Sequence, residues 1–152
     1  MTASAPPVRE VTPALYFDPA PLEAWLRREV EDFGDAMVVQ QFQGGASNPT
    51  FLLTTQVAGA PRRYVLRKKP PGVLLASAHQ VDREFKVMKA LDGHVPVPKM
   101  RALCMDETVI GTAFYVMDYL EGRIFRDAML PDQTPAERAA IYDDLNATLA
   151  KL

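Results

Sequence analysis

Residues 36–69, AMVVQQFQGGASNPTFLLTTQVAGAPRRYVLRKK, decide the fold. The segment holds three strand-length apolar runs, at 37–42, 50–57 and 64–68, each rich in Val, Leu, Phe, Tyr and Thr. Gly44, Gly45, Ala46, Ser47, Asn48 and Pro49 separate the first two, and Ala58, Gly59, Ala60 and Pro61 the next two. Both connections have hairpin length and turn composition, so a three-stranded antiparallel meander is expected.

Working outward toward the C-terminus, Pro70, Pro71 and Gly72 stop the third strand. Ser77 followed by Gln80 is a capping-box pattern, and Val81, Phe85, Met88 and Leu91 form the apolar stripe of the helix it opens. Asp92 and Gly93 end that helix, Pro96 and Pro98 keep the chain extended, and 100–105 and 113–120 read as two more strands around a turn near Gly111. Beyond Gly122 the pattern turns helical, with a short segment at 127–130. A final helix follows, marked by Thr134, Pro135 and Glu137, with Ile141, Leu145, Leu149 and Leu152 on one face. On the other side of the meander, Asp18 caps a helix that starts at Pro19 and buries Leu22, Trp25, Leu26, Val30 and Phe33 before Gly34. Residues 1–17, with Pro6, Pro7 and Pro13, show no apolar period and are expected to form a flexible arm. The class is α+β.

The chain has 152 residues, 48% hydrophobic and 24% charged, with 17 Lys plus Arg against 19 Asp plus Glu and a formal charge of −2. That is the composition of one globular domain or part of one. No apolar run has the length of a membrane span and the first residues lack the order of a secretion signal, so a cytoplasmic protein without membrane contact is expected. Cys104 lies in an apolar stretch and reads as a buried, inert thiol, which excludes disulfides and cysteine-rich metal sites. The net charge argues against nucleic acid as a partner, despite the local string Arg62, Arg63, Arg67, Lys68 and Lys69.

Three features could carry chemistry. The glycine pair at Gly44 and Gly45, with successive N–H groups and the Ser47 hydroxyl, could hold phosphate oxygens, or could simply turn a hairpin. Strand alternation sends Val65 and Arg67 to one face and Leu66 and Lys68 to the other, so Arg67 is either a cation fixed below the glycine hairpin or one that blunts an edge. Glu84 sits at the margin of the second helix's buried stripe, where it could hold a strand cation or remain a solvated carboxylate. The tripeptide Asp32-Phe33-Gly34 spells the metal motif of protein kinases. It precedes the glycine hairpin, however, and reads as the end of a helix stripe.

The order of parts is more informative than any one of them. A glycine hairpin, a strand cation, a helix glutamate and an apolar strand running into Gly122 succeed one another as in a kinase amino-terminal lobe. The strings Gly45-Ala46-Ser47-Asn48, Tyr64-Val65-Leu66-Arg67, Arg83-Glu84-Phe85 and Met117-Asp118-Tyr119-Leu120-Glu121-Gly122 resemble the aminoglycoside phosphotransferase and choline kinase superfamily. Within it, Leu66-Arg67-Lys68-Lys69-Pro70-Pro71-Gly72 is most similar to the phosphotransferase domains related to those fused to acyl-CoA dehydrogenases. The similarity spans about residues 22–152.

The resemblance implies a protein-kinase-like N-terminal lobe at 18–122, with a five-stranded antiparallel sheet, followed at 123–152 by the first helices of a truncated C-terminal lobe. It implies ATP as cofactor and an acceptor bearing a hydroxyl. Gly44, Gly45, Ala46, Ser47 and Asn48 would cover the phosphates, Arg67 would replace the usual strand lysine, and Glu84 would be its partner. Val65 would pack on the adenine ring, Met117 would stand behind it, and the backbone of Asp118 and Leu120 would bind its edge. The catalytic aspartate loop and the Mg2+ ligands are expected in the C-terminal lobe, so no residue of this chain is assigned to either, and the chain alone is expected to be inactive. The alternative is a noncatalytic nucleotide-binding or protein-interaction module, docking on a partner or on itself through Ile141, Leu145, Leu149 and Leu152.

Overall fold

The computed structural model describes residues 7–43, 48–72 and 80–152. In chain order the elements are β1 (Val8–Arg9), a 3-10 turn (Pro13–Leu15), α1 (Pro19–Glu29), β2 (Asp35–Phe42), β3 (Thr50–Val57), β4 (Ala60–Lys68), α2 (Val81–Leu91), β5 (Met100–Cys104), β6 (Phe114–Asp118) and α3 (Pro135–Leu149). The strands form one antiparallel sheet in the order β1-β2-β3-β4-β6-β5.

The meander forms as its alternation and turns dictate. Ala58 and Gly59 both take positive φ, 49° and 80°, which makes a two-residue hairpin whose twist suits the flanking strands. In consequence β4 starts at Ala60, earlier than the apolar run suggested, and includes Pro61. That proline costs no bond on the far edge, because the β4–β6 ladder begins only at Tyr64.

Alternation then divides the core. Tyr64 and Leu66 join Phe51, Leu53, Phe114 and Val116 on the face covered by α1, whose Leu22, Leu26 and Val30 are buried there, with Trp25 and Phe33 partly buried against them. Asp18 caps α1 by accepting from the Ala20 N–H at 3.0 Å. On the opposite face Tyr115 and Met100 pack under α2 with Val81 and Phe85.

Three expectations are corrected. The sheet has six strands, not five, because Val8 and Arg9 pair with Phe42 and Gln41 as an added edge. Residues 7–17 are therefore not a free arm. Thr12 donates its N–H and hydroxyl to Gln41 Oε1, each at 3.1 Å, and Phe17 stacks edge-on against Phe51 at 5.3 Å. Residues 127–130 form a single turn rather than a helix, with Asp127 Oδ1 accepting from the Met129 N–H at 2.8 Å. The expected cap at Ser77 lies outside the described residues. Among the described residues no helix is long and apolar enough to cross a membrane.

Candidate functional site

The face of the sheet beneath α2 gathers the residues of interest because strand pairing is in register. Val65 and Arg67 of β4 stand beside Leu52 and Thr50 on β3 and beside Met117 and Tyr115 on β6. Above them α2 is anchored by the buried Val81 and Phe85. Glu84, one residue before Phe85, is thereby aimed at the strand.

Arg67 Nε lies 3.5 Å from Glu84 Oε2, and about a third of each side chain remains exposed, 32% and 34%. Two neutral donors hold the carboxylate more closely. The Tyr115 hydroxyl donates to Oε2 at 2.9 Å and the Asn48 side-chain amide donates to Oε1 at 2.9 Å. Asn48 leads into β3, so its bond ties the start of that strand to α2. Burial, and secondarily the bond to Glu84, push the Tyr115 hydroxyl pKa well above the ordinary tyrosine range. Arg67 Nε is buried without a hydrogen-bond partner among the described residues. A cleft of about 320 Å³, lined by Arg67, Arg83, Glu84, Val87 and Met88, opens beside the pair.

Where β6 leaves the sheet, the backbone is fixed at successive residues. The Asp118 N–H donates to the Lys99 carbonyl at 2.9 Å and the Tyr119 N–H to the Arg63 carbonyl at 3.3 Å. Arg101 grips the Asp118 carboxylate with two nitrogens, at 2.6 and 2.7 Å, and that bond raises the Arg101 pKa. The Arg63 guanidinium stacks over Tyr119 at 4.8 Å and pairs with Glu121. Arg62, Arg63, Tyr119, Leu120 and Glu121 line a hollow of about 330 Å³ at this exit. The Leu120 N–H has no main-chain partner among the described residues.

The structure therefore brings Asn48, Val65, Arg67, Glu84 and Met117 to one face, with Asp118 and Leu120 at its exit strand. Gly44, Gly45, Ala46 and Ser47 lie outside the described residues. Sequence reasoning missed Tyr115 and Arg101. Tyr115 stands two residues before Met117, and period-two alternation alone places it on the Arg67 face, so its signal was available. Arg101 gave none, since a strand arginine reads as solvated until its partner is known. Phe33 of the Asp32-Phe33-Gly34 tripeptide packs on the Tyr64 ring at 5.4 Å, away from the cleft. Among the described residues no group of three His, Cys, Asp or Glu is placed to hold a metal ion.

Chemically, a guanidinium on a rigid strand is a permanent cation whose planar fork matches phosphate oxygens. An antiparallel sheet carrying such a cation, a helix carboxylate beside it and a strand leading out of the lobe define a kinase-like phosphotransferase fold. The chain belongs to the phosphotransferase enzyme family APH, whose family model matches residues 38–152. It is similar to human acyl-CoA dehydrogenase family member 11, 50% identical over 148 residues, which cover 94% of this chain and 18% of that protein. It is 47% identical over 117 residues to mouse acyl-CoA dehydrogenase family member 10, covering 76% of this chain and 11% of the relative. A crystal structure from Ralstonia eutropha, assigned as an aminoglycoside phosphotransferase, superposes with a TM-score of 0.73 at 47% identity, over 90% of this chain and 38% of that one. The chain thus spans between about a tenth and a fifth of the length of the curated relatives it matches.

Proposed function

We propose that this chain is the ATP-binding portion of an aminoglycoside-phosphotransferase-like small-molecule kinase. The reaction of that kinase would move the γ-phosphate of ATP to a hydroxyl of the acceptor. The observation that carries the reading is the Arg67–Glu84 pair, in which a buried guanidinium nitrogen on a central strand lacks a hydrogen-bond partner among the described residues. A guanidinium held loosely by a carboxylate at the edge of a cleft suits an anion. ATP, when bound, supplies the phosphoryl group.

The chain's own residues bind and orient. Gly44, Gly45, Ala46, Ser47 and Asn48 would cover the phosphates, and Arg67 would offset their charge. Val65 and Met117 would enclose the adenine ring, and the Asp118 carbonyl and Leu120 N–H would meet its edge. Mg2+, which the chemistry of the family implies, finds no three-ligand group among the described residues. The roles assigned to these residues concern the nucleotide alone. Saturating ATP should stabilise the folded protein by about 2.7 kcal/mol at a hundred times its Kd, read as a rise in unfolding temperature, and Arg67→Ala should remove that rise. An equal rise in the variant would contradict the reading.

A second reading is favoured by α3. That helix buries none of its residues among those described, and Leu145, Leu149 and Leu152 are exposed. Such a face could dock on a partner or a second copy. Monomeric behaviour unchanged by Leu145→Lys would count against self-association.

A further inference from the structure

Two stretches of chain meet behind the strand that leaves the lobe. The Asp118 N–H donates to the Lys99 carbonyl at 2.9 Å, and two residues further along, the Arg101 guanidinium closes on both oxygens of the Asp118 carboxylate, at 2.6 and 2.7 Å. The shift in register between Met100 and Ala102 sets Arg101 outside the regular alternation of β5. Asp118 follows the alternation of β6: with Phe114 and Val116 it turns to the α1 face, while Tyr115 and Met117 turn to the face under α2. The pair therefore lies behind the sheet as seen from Val65 and Arg67, out of reach of a ligand bound there. Its side chains are 18% and 27% exposed, so solvent screens it less than the neighbouring Arg63–Glu121 pair, whose carboxylate is 62% exposed.

The geometry points to Arg101 as a positioning residue for recognition of the nucleobase: by gripping the Asp118 carboxylate from behind, it fixes the peptide whose carbonyl meets the edge of adenine. The inference rests on reading the exit of β6 as the hinge that binds the nucleotide. Asp118 is the last residue of β6, and the peptide that follows it is held by one long bond, from the Tyr119 N–H to the Arg63 carbonyl at 3.3 Å. In a trans peptide the N–H and C=O point opposite ways, so that bond directs the Asp118 carbonyl away from β4 without holding it firmly. The two-pronged grip of Arg101 sets direction as well as distance, which a single ammonium does not reproduce. A recognition group ordered in advance binds more tightly than one that must be ordered by its ligand. The consequence falls on the base alone, because the phosphates meet Arg67 on the other face of the sheet.

The test is a calorimetric titration of ATP, and separately of inorganic tripolyphosphate, into the protein and into Arg101→Met and Arg101→Lys. Unfolding temperatures report whether each variant is folded, and Arg101→Lys, which keeps the charge and loses the fork, decides the matter where Arg101→Met does not fold. ATP affinity should fall about tenfold in Arg101→Met and about threefold in Arg101→Lys, while tripolyphosphate affinity stays within about twofold of the wild type in both. An equal loss for the two ligands would overturn the proposal by showing that the pair only supports the fold. Full ATP affinity in both variants would overturn it too, and would leave the nucleotide reading standing. A wild type that binds tripolyphosphate as tightly as ATP would show that the base goes unrecognised, which defeats the hinge reading and the role of Arg101 with it. A wild type that binds neither would defeat the nucleotide reading as a whole.

Discussion

Arg67 and Lys68 are adjacent cations that strand alternation sends to opposite faces, and their surroundings give them different work. Arg67 faces the cleft, while Lys68 is 6% exposed. The Lys68 ammonium donates to the Leu15 carbonyl at 3.1 Å and sits 4.9 Å from the Phe17 ring and 5.6 Å from that of Phe51. Burial lowers its pKa from 10.5. Between that lowered value and 10.5 the unfolded chain keeps a proton that the folded protein has released, so rising pH favours the folded state. Denaturant titrations from about pH 8 to about pH 10 should show the wild type gaining stability relative to Lys68→Met, and a flat difference would contradict this assignment. Burial likewise raises the pKa of Cys104, a residue only 3% exposed. A thiol reagent should label it about a hundredfold more slowly in the native protein than in denaturant. The burial of Cys104 and the facing of Arg67 were legible from sequence. The burial of Lys68 was not, because it depends on residues 13–17 folding back over β4, and nothing in their composition announces that cover.

At the scale of elements, the caps and stripes were the most legible parts. Asp18 and Thr134 cap the helices they precede, and Thr134 and Glu137 form the full reciprocal box. Thr134→Ala should speed amide exchange in the first turn of α3 about fivefold, with little change in the sheet. Gly34 read as a helix stop, and its structural demand proved to be a close approach. A Cβ there would lie 2.2 Å from the Gln56 carbonyl oxygen and 2.6 Å from its carbon, both backbone atoms that cannot swing aside. Gly34→Ala should therefore destabilise the protein by on the order of 3 kcal/mol in chemical denaturation, the penalty falling where α1 enters β2. The early start of β4 was hidden by Pro61, which reads as a strand breaker until the neighbouring strand is known to stop short of it.

At the scale of the molecule, the sheet separates two clusters, one sealed by α1 and the other shared by α2 and the cleft. The split follows from period-two alternation in β4 and β6, which is why fold and site were read together: the same pattern that buries Tyr64 and Leu66 presents Val65 and Arg67. The hinge-like exit was less legible, since Arg101 meets Asp118 only after β5 and β6 pair with a shifted register between Met100 and Ala102. The central claim, that this face binds ATP through Arg67, is tested most directly by a heteronuclear NMR titration that follows the backbone amides and the Arg67 Nε–H together. The account predicts that ATP shifts Val65, Arg67 and Leu120, including the guanidinium signal, while Lys68 and the amides of α1 stay in place. Shifts confined to α3, or an Arg67 Nε–H that does not respond at saturation, would contradict it.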